Sequence, residues 1–370
     1  MSVFEMTIPA VKGIQAGRDC YVSEIPLRHI PQVFGACGND STTDLGARRT
    51  INKQRVREVV RYVLENPSQY TLPPLIACVD ARVEFERSTH DVGVDIGYLR
   101  IPMDARFSVK DAQYWIAAIN AVLAANVRFA GDTVAVVFIP DTDLNRCRQL
   151  FADLTRYSFR TSASLALLYD QRDEAAQLAK SVMCAVPFFA ELTETEKSSI
   201  SNRSTKLFTL SAIHGAVQTL LAGLELRSPE ERTRLAAEFW IEVGRQIPAW
   251  QLAKERKVAT ADLRRQYVHA HALALAAIAR AGNQLLTSFR RSWKVKLKKL
   301  STLDWSRNNS AQWDGRAMNA GRLSKRNVNV TLSGNLVKQH LGLPLSPGEE
   351  ELEREFRKTR RGGSVNRHSA

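Results

Sequence analysis

The chain is poor in the features that mark a secreted or membrane-spanning protein. Only five of its 370 residues are cysteine, at 20, 37, 78, 147 and 184. No two follow a CxxC spacing, and the odd count argues against a disulfide framework. No uninterrupted apolar run approaches the roughly 18 residues that a membrane span needs. The first twenty residues contain Glu5, Lys12, Arg18 and Asp19 and hold no apolar core segment, so a secretory leader is not expected. These absences predict a cytoplasmic protein with free thiols. Catalytic signatures are missing too. There is no Gly-x-x-x-x-Gly-Lys phosphate loop and no Gly-x-Ser-x-Gly elbow. His269 and His271 stand two apart and point to different sides of a helix, which rules out an i, i+4 metal clamp. Asp111, Asp141, Asp143 and Asp153 come nearest to a carboxylate cluster, but Asp111 and Asp141 read as helix caps. No metal or cofactor is expected, and there are no internal repeats.

What is present is charge, unevenly distributed. Residues 1–206 carry 24 basic and 24 acidic side chains, whereas residues 207–370 carry 28 basic and 14 acidic. Within 254–340, 18 basic residues face only 4 acidic ones, so the whole formal net charge of +14 lies in one window. A neutral part beside a strongly basic part suits contact with a polyanion. The densest stretch is Phe289 to Leu300. As a helix it places Phe289, Trp293, Leu297 and Leu300 on one face and leaves Arg290, Arg291, Lys294, Lys296, Lys298 and Lys299 for phosphates. A solvated amphipathic helix is the alternative. Arg307, Arg316, Arg322, Lys325 and Arg326 extend the basic run among Asn, Ser and Gly. Trp305 and Trp313 read as core anchors, with base stacking as the alternative.

The 44% hydrophobic content is ordinary for a globular chain, and the length allows two cored domains. Residues 1–50 read as irregular with one short strand near Cys20-Tyr21-Val22. A helix capped by Asn52 follows, then a buried strand over Leu75–Val79 and hairpin strands over 82–101. Phe107 to Asp170 reads as strand, helix, strand, helix, with Asp111 capping the first helix and Trp115, Ile119 and Val122 recurring at helical spacing. After Asp170 the pattern is helical. Ser228-Pro229-Glu230-Glu231 marks one strong start, and a long Ala-rich helix over Thr260–Leu286 suits the inside of a bundle. The expected class is α+β: a mixed α/β domain over 1–170, an all-helical basic domain over 171–345, and a disordered charged tail over 346–370.

The strand leading into Asp111 and Gln113, the run Phe151-Ala152-Asp153-Leu154-Thr155-Arg156 and the run Ser162-Ala163-Ser164-Leu165 resemble the DGQHR-domain proteins. Within them the likeness is greatest to the DndB family, encoded beside the enzymes that place sulfur in the DNA backbone. It extends to Arg48-Arg49-Thr50-Ile51-Asn52, to Asp304-Trp305-Ser306-Arg307-Asn308 and to Trp313-Asp314-Gly315-Arg316, covering roughly residues 5–345. The motif is degenerate. Ala112, Tyr114 and Trp115 stand where the family has Gly, His and Arg, and Thr155 replaces an Asn. The resemblance implies a ParB/sulfiredoxin-like first domain, in which the motif's small and basic residues at a helix start suit phosphate. It also implies a sequence-specific DNA-binding repressor of a phosphorothioate-modification gene cluster. Two alternatives stand beside that reading. One is a ParB-like nucleotide hydrolase or DNA-nicking enzyme, against which the lost motif letters count. The other is a scaffold for the sulfur-modification enzymes. Homo-oligomerisation is left open.

Overall fold

Alternation of buried and exposed positions builds the first half of the chain. In Arg18–Pro26, Tyr21, Ser23 and Ile25 are buried while Val22 and Glu24 face outward, the period of a strand with one covered face. The computed structural model describes residues 5–34, 53–89, 95–109, 112–157, 161–319 and 321–365, and the chain divides into two units, Met1–Phe159 and Arg160–Ala370.

The first unit runs β1 (Glu5–Gln15), β2 (Arg18–Pro26), α1 (Ile30–Phe34), α2 (Lys53–Glu65), β3 (Leu75–Asp80), β4 (Glu84–Arg87), β5 (Ile96–Pro102), β6 (Arg106–Val109), α3 (Ala112–Ala125), β7 (Thr133–Pro140) and α4 (Leu144–Tyr157). Among the described residues its strands form one seven-stranded sheet in the order β4-β5-β1-β2-β7-β3-β6, in which β3 and β7 pair in parallel and the other neighbours antiparallel. The irregular start expected over 1–50 is corrected where it is described. β1 and β2 form a long hairpin closed by Ala16 and Gly17, both at positive φ (51° and 73°), the two-residue turn whose twist matches paired strands. Ile8, Ala10, Leu99, Val136, Phe138 and Ala77 line the buried face of the sheet, with Phe34, Val63, Ile119 and Val122 from α1, α2 and α3 in the same core. Trp115 is half-buried beside Leu27, Val59 and Val63, which agrees with its reading as a packing residue.

The second unit contains α5 (Ala163–Tyr169), α6 (Glu174–Ala185), α7 (Pro187–Leu192), β8 (Thr193–Glu194), β9 (Phe208–Thr209), α8 (Leu210–Leu221), α9 (Pro229–Gln246), α10 (Pro248–Lys254), α11 (Thr260–Gln266), α12 (Ala272–Ser288), α13 (Trp293–Leu297), α14 (Ser310–Trp313), β10 (Met318–Asn319), β11 (Arg322–Leu323), α15 (Asn327–His340) and α16 (Pro347–Val365). It is mostly helical, as expected. Ser228 accepts from the Glu231 N–H (3.2 Å) and Glu231 accepts from the Arg227 N–H (2.9 Å), a reciprocal cap that starts α9 where its sequence signal stood. Phe188, Phe189, Phe208, Trp240 and Trp250 form a cluster of ring contacts at the centre. α12 is buried almost all round.

Two expectations fail here. The single helix over Thr260–Leu286 is interrupted between α11 and α12, because the Val268 N–H pairs with the Trp305 carbonyl (2.9 Å) and the His269 ring accepts from Trp250 Nε1 (3.1 Å). The tail expected to be disordered forms α16 over Pro347–Val365, with Glu349 and Glu353 buried against the unit.

Candidate nucleic-acid interface

The basic stretch after α12 follows from a conflict between helix continuation and burial of its aromatic residue. The Phe289 N–H closes α12 on the Leu285 carbonyl, and Ser292 turns back onto Phe289 (2.9 Å). The turn brings Trp293 against Phe239 of α9, with ring centroids 5.7 Å apart. The single helix expected over 289–300 is therefore a turn, then α13, then one 3₁₀ turn over Lys298–Thr302. Its apolar face survives the correction: Trp293, Leu297 and Leu300 are buried and Phe289 packs on the same core. Arg290 and Arg291 sit exposed on the turn, and Lys298 and Lys299 are exposed on the 3₁₀ turn. Lys294 pairs with Glu238, and Lys296 lies over the Phe289 ring at 4.4 Å.

The continuation of the basic run divides into three kinds of residue. Arg316 is a correction: it is 8% exposed and bidentate to Glu353 of α16 (2.5 and 2.7 Å), so its charge is neutralised inside the unit. Arg307 donates to the carbonyls of Arg264, Arg265 and Gly321 at 2.9–3.2 Å, holding the loop after Trp305 to the β10–β11 hairpin. Arg322, Lys325 and Arg326 are exposed or partly so. Trp305 and Trp313 are buried and stack on each other, 5.3 Å apart at 18°, which makes them core anchors and unavailable to bases.

Among the described residues, none of Arg290, Arg291, Lys298, Lys299, Arg322, Lys325 or Arg326 pairs with a carboxylate. They are contiguous in sequence but spread along the unit. Arg290 and Arg291 follow the last residue of α12. From there the chain returns through α13 to Trp305, whose carbonyl meets Val268 just ahead of the first residue of α12. A 17-residue helix spans about 25 Å, so the exposed cations extend along a length of that order.

The motif in the first unit is assembled differently. Asp111 lies outside the described residues, and Gln113 falls in the first turn of α3. Asp153 accepts from Gln149 (2.8 Å) and Arg156 is exposed in the last turn of α4. Asp141 does not cap α4. Asp143 does, accepting from the Asn145 N–H (2.9 Å). Asp141 is a buried carboxylate at the end of β7, held by Arg146 (2.7 and 3.0 Å) and Arg18 (3.2 Å). The Arg146 hydrogen bonds, chiefly, keep it below the usual carboxylate range. That cluster was not visible in the spacing, since Arg18 is 123 residues away.

His269 and His271 are both buried or nearly so. His269 accepts from Trp250, while the His271 Nε2 meets the Arg264 carbonyl at 2.7 Å. Among the described residues no group of three His, Cys, Asp or Glu side chains is placed to hold a metal ion, and no helix is long and apolar enough to cross a membrane.

Compared with known proteins, residues 8–344 match the family model described as DndB, DNA-sulfur modification-associated. No curated protein and no solved structure matches the chain.

Proposed function

We propose, from the premise that this chain belongs to the DndB family of DNA-sulfur-modification-associated proteins, that it binds double-stranded DNA and represses a phosphorothioate-modification gene cluster. The observation that carries the reading is the set of exposed cations without carboxylate partners among the described residues, Arg290, Arg291, Lys298 and Lys299 with Arg322, Lys325 and Arg326. Duplex DNA carries one charge per about 1.7 Å of axis, so about 25 Å of duplex carries about fifteen phosphates, of which an interface on one side reaches a part. Cations already paired internally gain little from such an interface, whereas unpaired ones release condensed counterions from the DNA. Phosphate contacts of this kind fix register and orientation, and sequence preference needs additional contact with base edges or with DNA shape. Repression then follows from occupying the promoter of the cluster.

The test is a mobility-shift titration with DNA from upstream of the modification genes and with an unrelated duplex of equal length, run beside a nucleotide-hydrolysis assay. Tighter binding to the upstream DNA without turnover supports the proposal. Equal affinity for both duplexes contradicts a sequence-specific repressor, and turnover at an enzymatic rate favours the hydrolase alternative.

A further inference from the structure

The second unit contains a cleft of about 620 Å³ beside the start of α12. Four cations line it: Arg264, Arg265, Arg307 and Lys325. Of these only Arg265 pairs with a carboxylate among the described residues, that of Asp262. Arg264 and Arg307 are fixed in place by neutral groups. Arg264 donates to the carbonyls of Ser201, Asn202, Ser204 and Lys206, and Arg307 to three more. Carbonyls orient a guanidinium without neutralising it, so the wall keeps its positive charge. Burial draws the Arg264 guanidinium below its ordinary range. Burial draws His271 down as well, against its hydrogen bond to the Arg264 carbonyl and with the field of Arg307 and Arg264.

The backbone adds to the same field. His271 precedes α12 and makes no side-chain cap, so the positive end of this 17-residue helix begins at Ala272, which lines the cleft. The rest of the lining is mixed: Ser198, Asn202 and Thr209 are polar, Ile200 and Ala261 are apolar, and Leu207 and Phe208 are almost fully buried. A cleft with a charged wall and a mixed polar and apolar remainder suits a ligand with an anionic head and a polar organic body. Its volume falls in the range of about 300–1,000 Å³ typical of small-molecule sites.

We propose that this cleft binds a phosphate-bearing organic molecule of mononucleotide size, with the phosphate toward Lys325, Arg265 and the start of α12 and the organic body over the mixed remainder of the lining. The inference goes beyond the DNA-binding reading and does not depend on it. Lys325 belongs to both, and the two are separated by the probe used.

The experiment is calorimetric titration of the full chain, without DNA, with adenosine monophosphate, with adenosine triphosphate and with inorganic phosphate. The wild type is compared with Lys325→Arg, Lys325→Glu and Arg265→Glu, each checked for folding by circular dichroism. Saturable one-site binding of a nucleotide is expected, weakened about tenfold or more by either charge reversal and largely kept by Lys325→Arg. Absence of saturable binding by both nucleotides overturns the proposal. So does affinity for inorganic phosphate equal to that for the nucleotides, which leaves the organic body without a role. Unchanged affinity in both folded charge-reversed variants overturns it, as does displacement of bound nucleotide by a short duplex, which would make the DNA backbone the occupant. None of these outcomes changes what the mobility shift reports about DNA binding.

Discussion

Replacing Glu353 with Ala leaves the Arg316 guanidinium buried without its carboxylate, and breaking a buried pair from one side costs about 3 to 5 kcal/mol. Chemical denaturation of the full chain should show a loss of that size for Glu353→Ala. The double change Arg316→Met with Glu353→Leu should recover most of it, because an apolar pair of similar volume removes both desolvated charges. A loss below about 1 kcal/mol in the single variant would place the pair at the surface. His269 gives a pH-dependent counterpart. Burial, with His271 nearby, lowers it from 6.5 to about 4, so the folded state keeps the ring neutral where the unfolded chain protonates it. The associated stability is complete above pH 6.5 and is lost as pH falls toward 4, roughly 3 kcal/mol in all. Melting temperatures measured from pH 7 to 4 should therefore fall less steeply for His269→Gln than for the wild type, and parallel profiles would contradict the assignment. At this scale the sequence was only partly legible. Arg316 read as a free cation because its partner lies 37 residues away on a helix that composition alone marked as disordered. The two tryptophans were legible because their spacing suited core anchors better than a stacking ladder.

The start of α9 was readable because all its determinants are local: a Ser cap, Pro at the first helical position and acids in the first turn. The interior of α12 was readable for a similar reason, since its apolar residues surround the helix. The breaks on either side of α12 were not. They depend on the Trp305 carbonyl and on the Phe239 ring, which the fold brings from distant positions. The β1–β2 hairpin was missed beyond the short strand expected near Cys20-Tyr21-Val22, because Pro9 and Gly13 interrupt the strand signal of β1. Packing around α12 yields a prediction of its own. A Cβ on Gly282 would lie within van der Waals overlap of Phe239 and of Leu220 Cδ1. Gly282→Ala gains up to about 1 kcal/mol of helix propensity but overpacks the core at a typical cost of about 1–3 kcal/mol. Net destabilisation is expected in urea denaturation, and a stabilised variant would show that α8 and α9 can yield at this point.

For the whole molecule, net charge is an incomplete guide to where a polyanion binds. The +14 excess is real, yet Arg316 and Lys338 are held by buried carboxylates and Arg264 and Arg307 serve backbone carbonyls. What remains for the proposed DNA contact is a smaller set of exposed cations. The measurement that bears most directly on DNA binding by these cations is the salt dependence of affinity for upstream DNA. Wild-type protein is compared with a variant in which Arg290, Arg291, Lys298 and Lys299 are all changed to Glu. Each neutralised phosphate contributes about −0.9 to the slope of log affinity against log salt. The variant is predicted to keep the wild-type melting temperature and to bind more weakly, with a slope shallower by about 0.9 for each phosphate that it no longer neutralises. A folded variant with unchanged affinity and unchanged slope would contradict the assignment of DNA binding to these four residues.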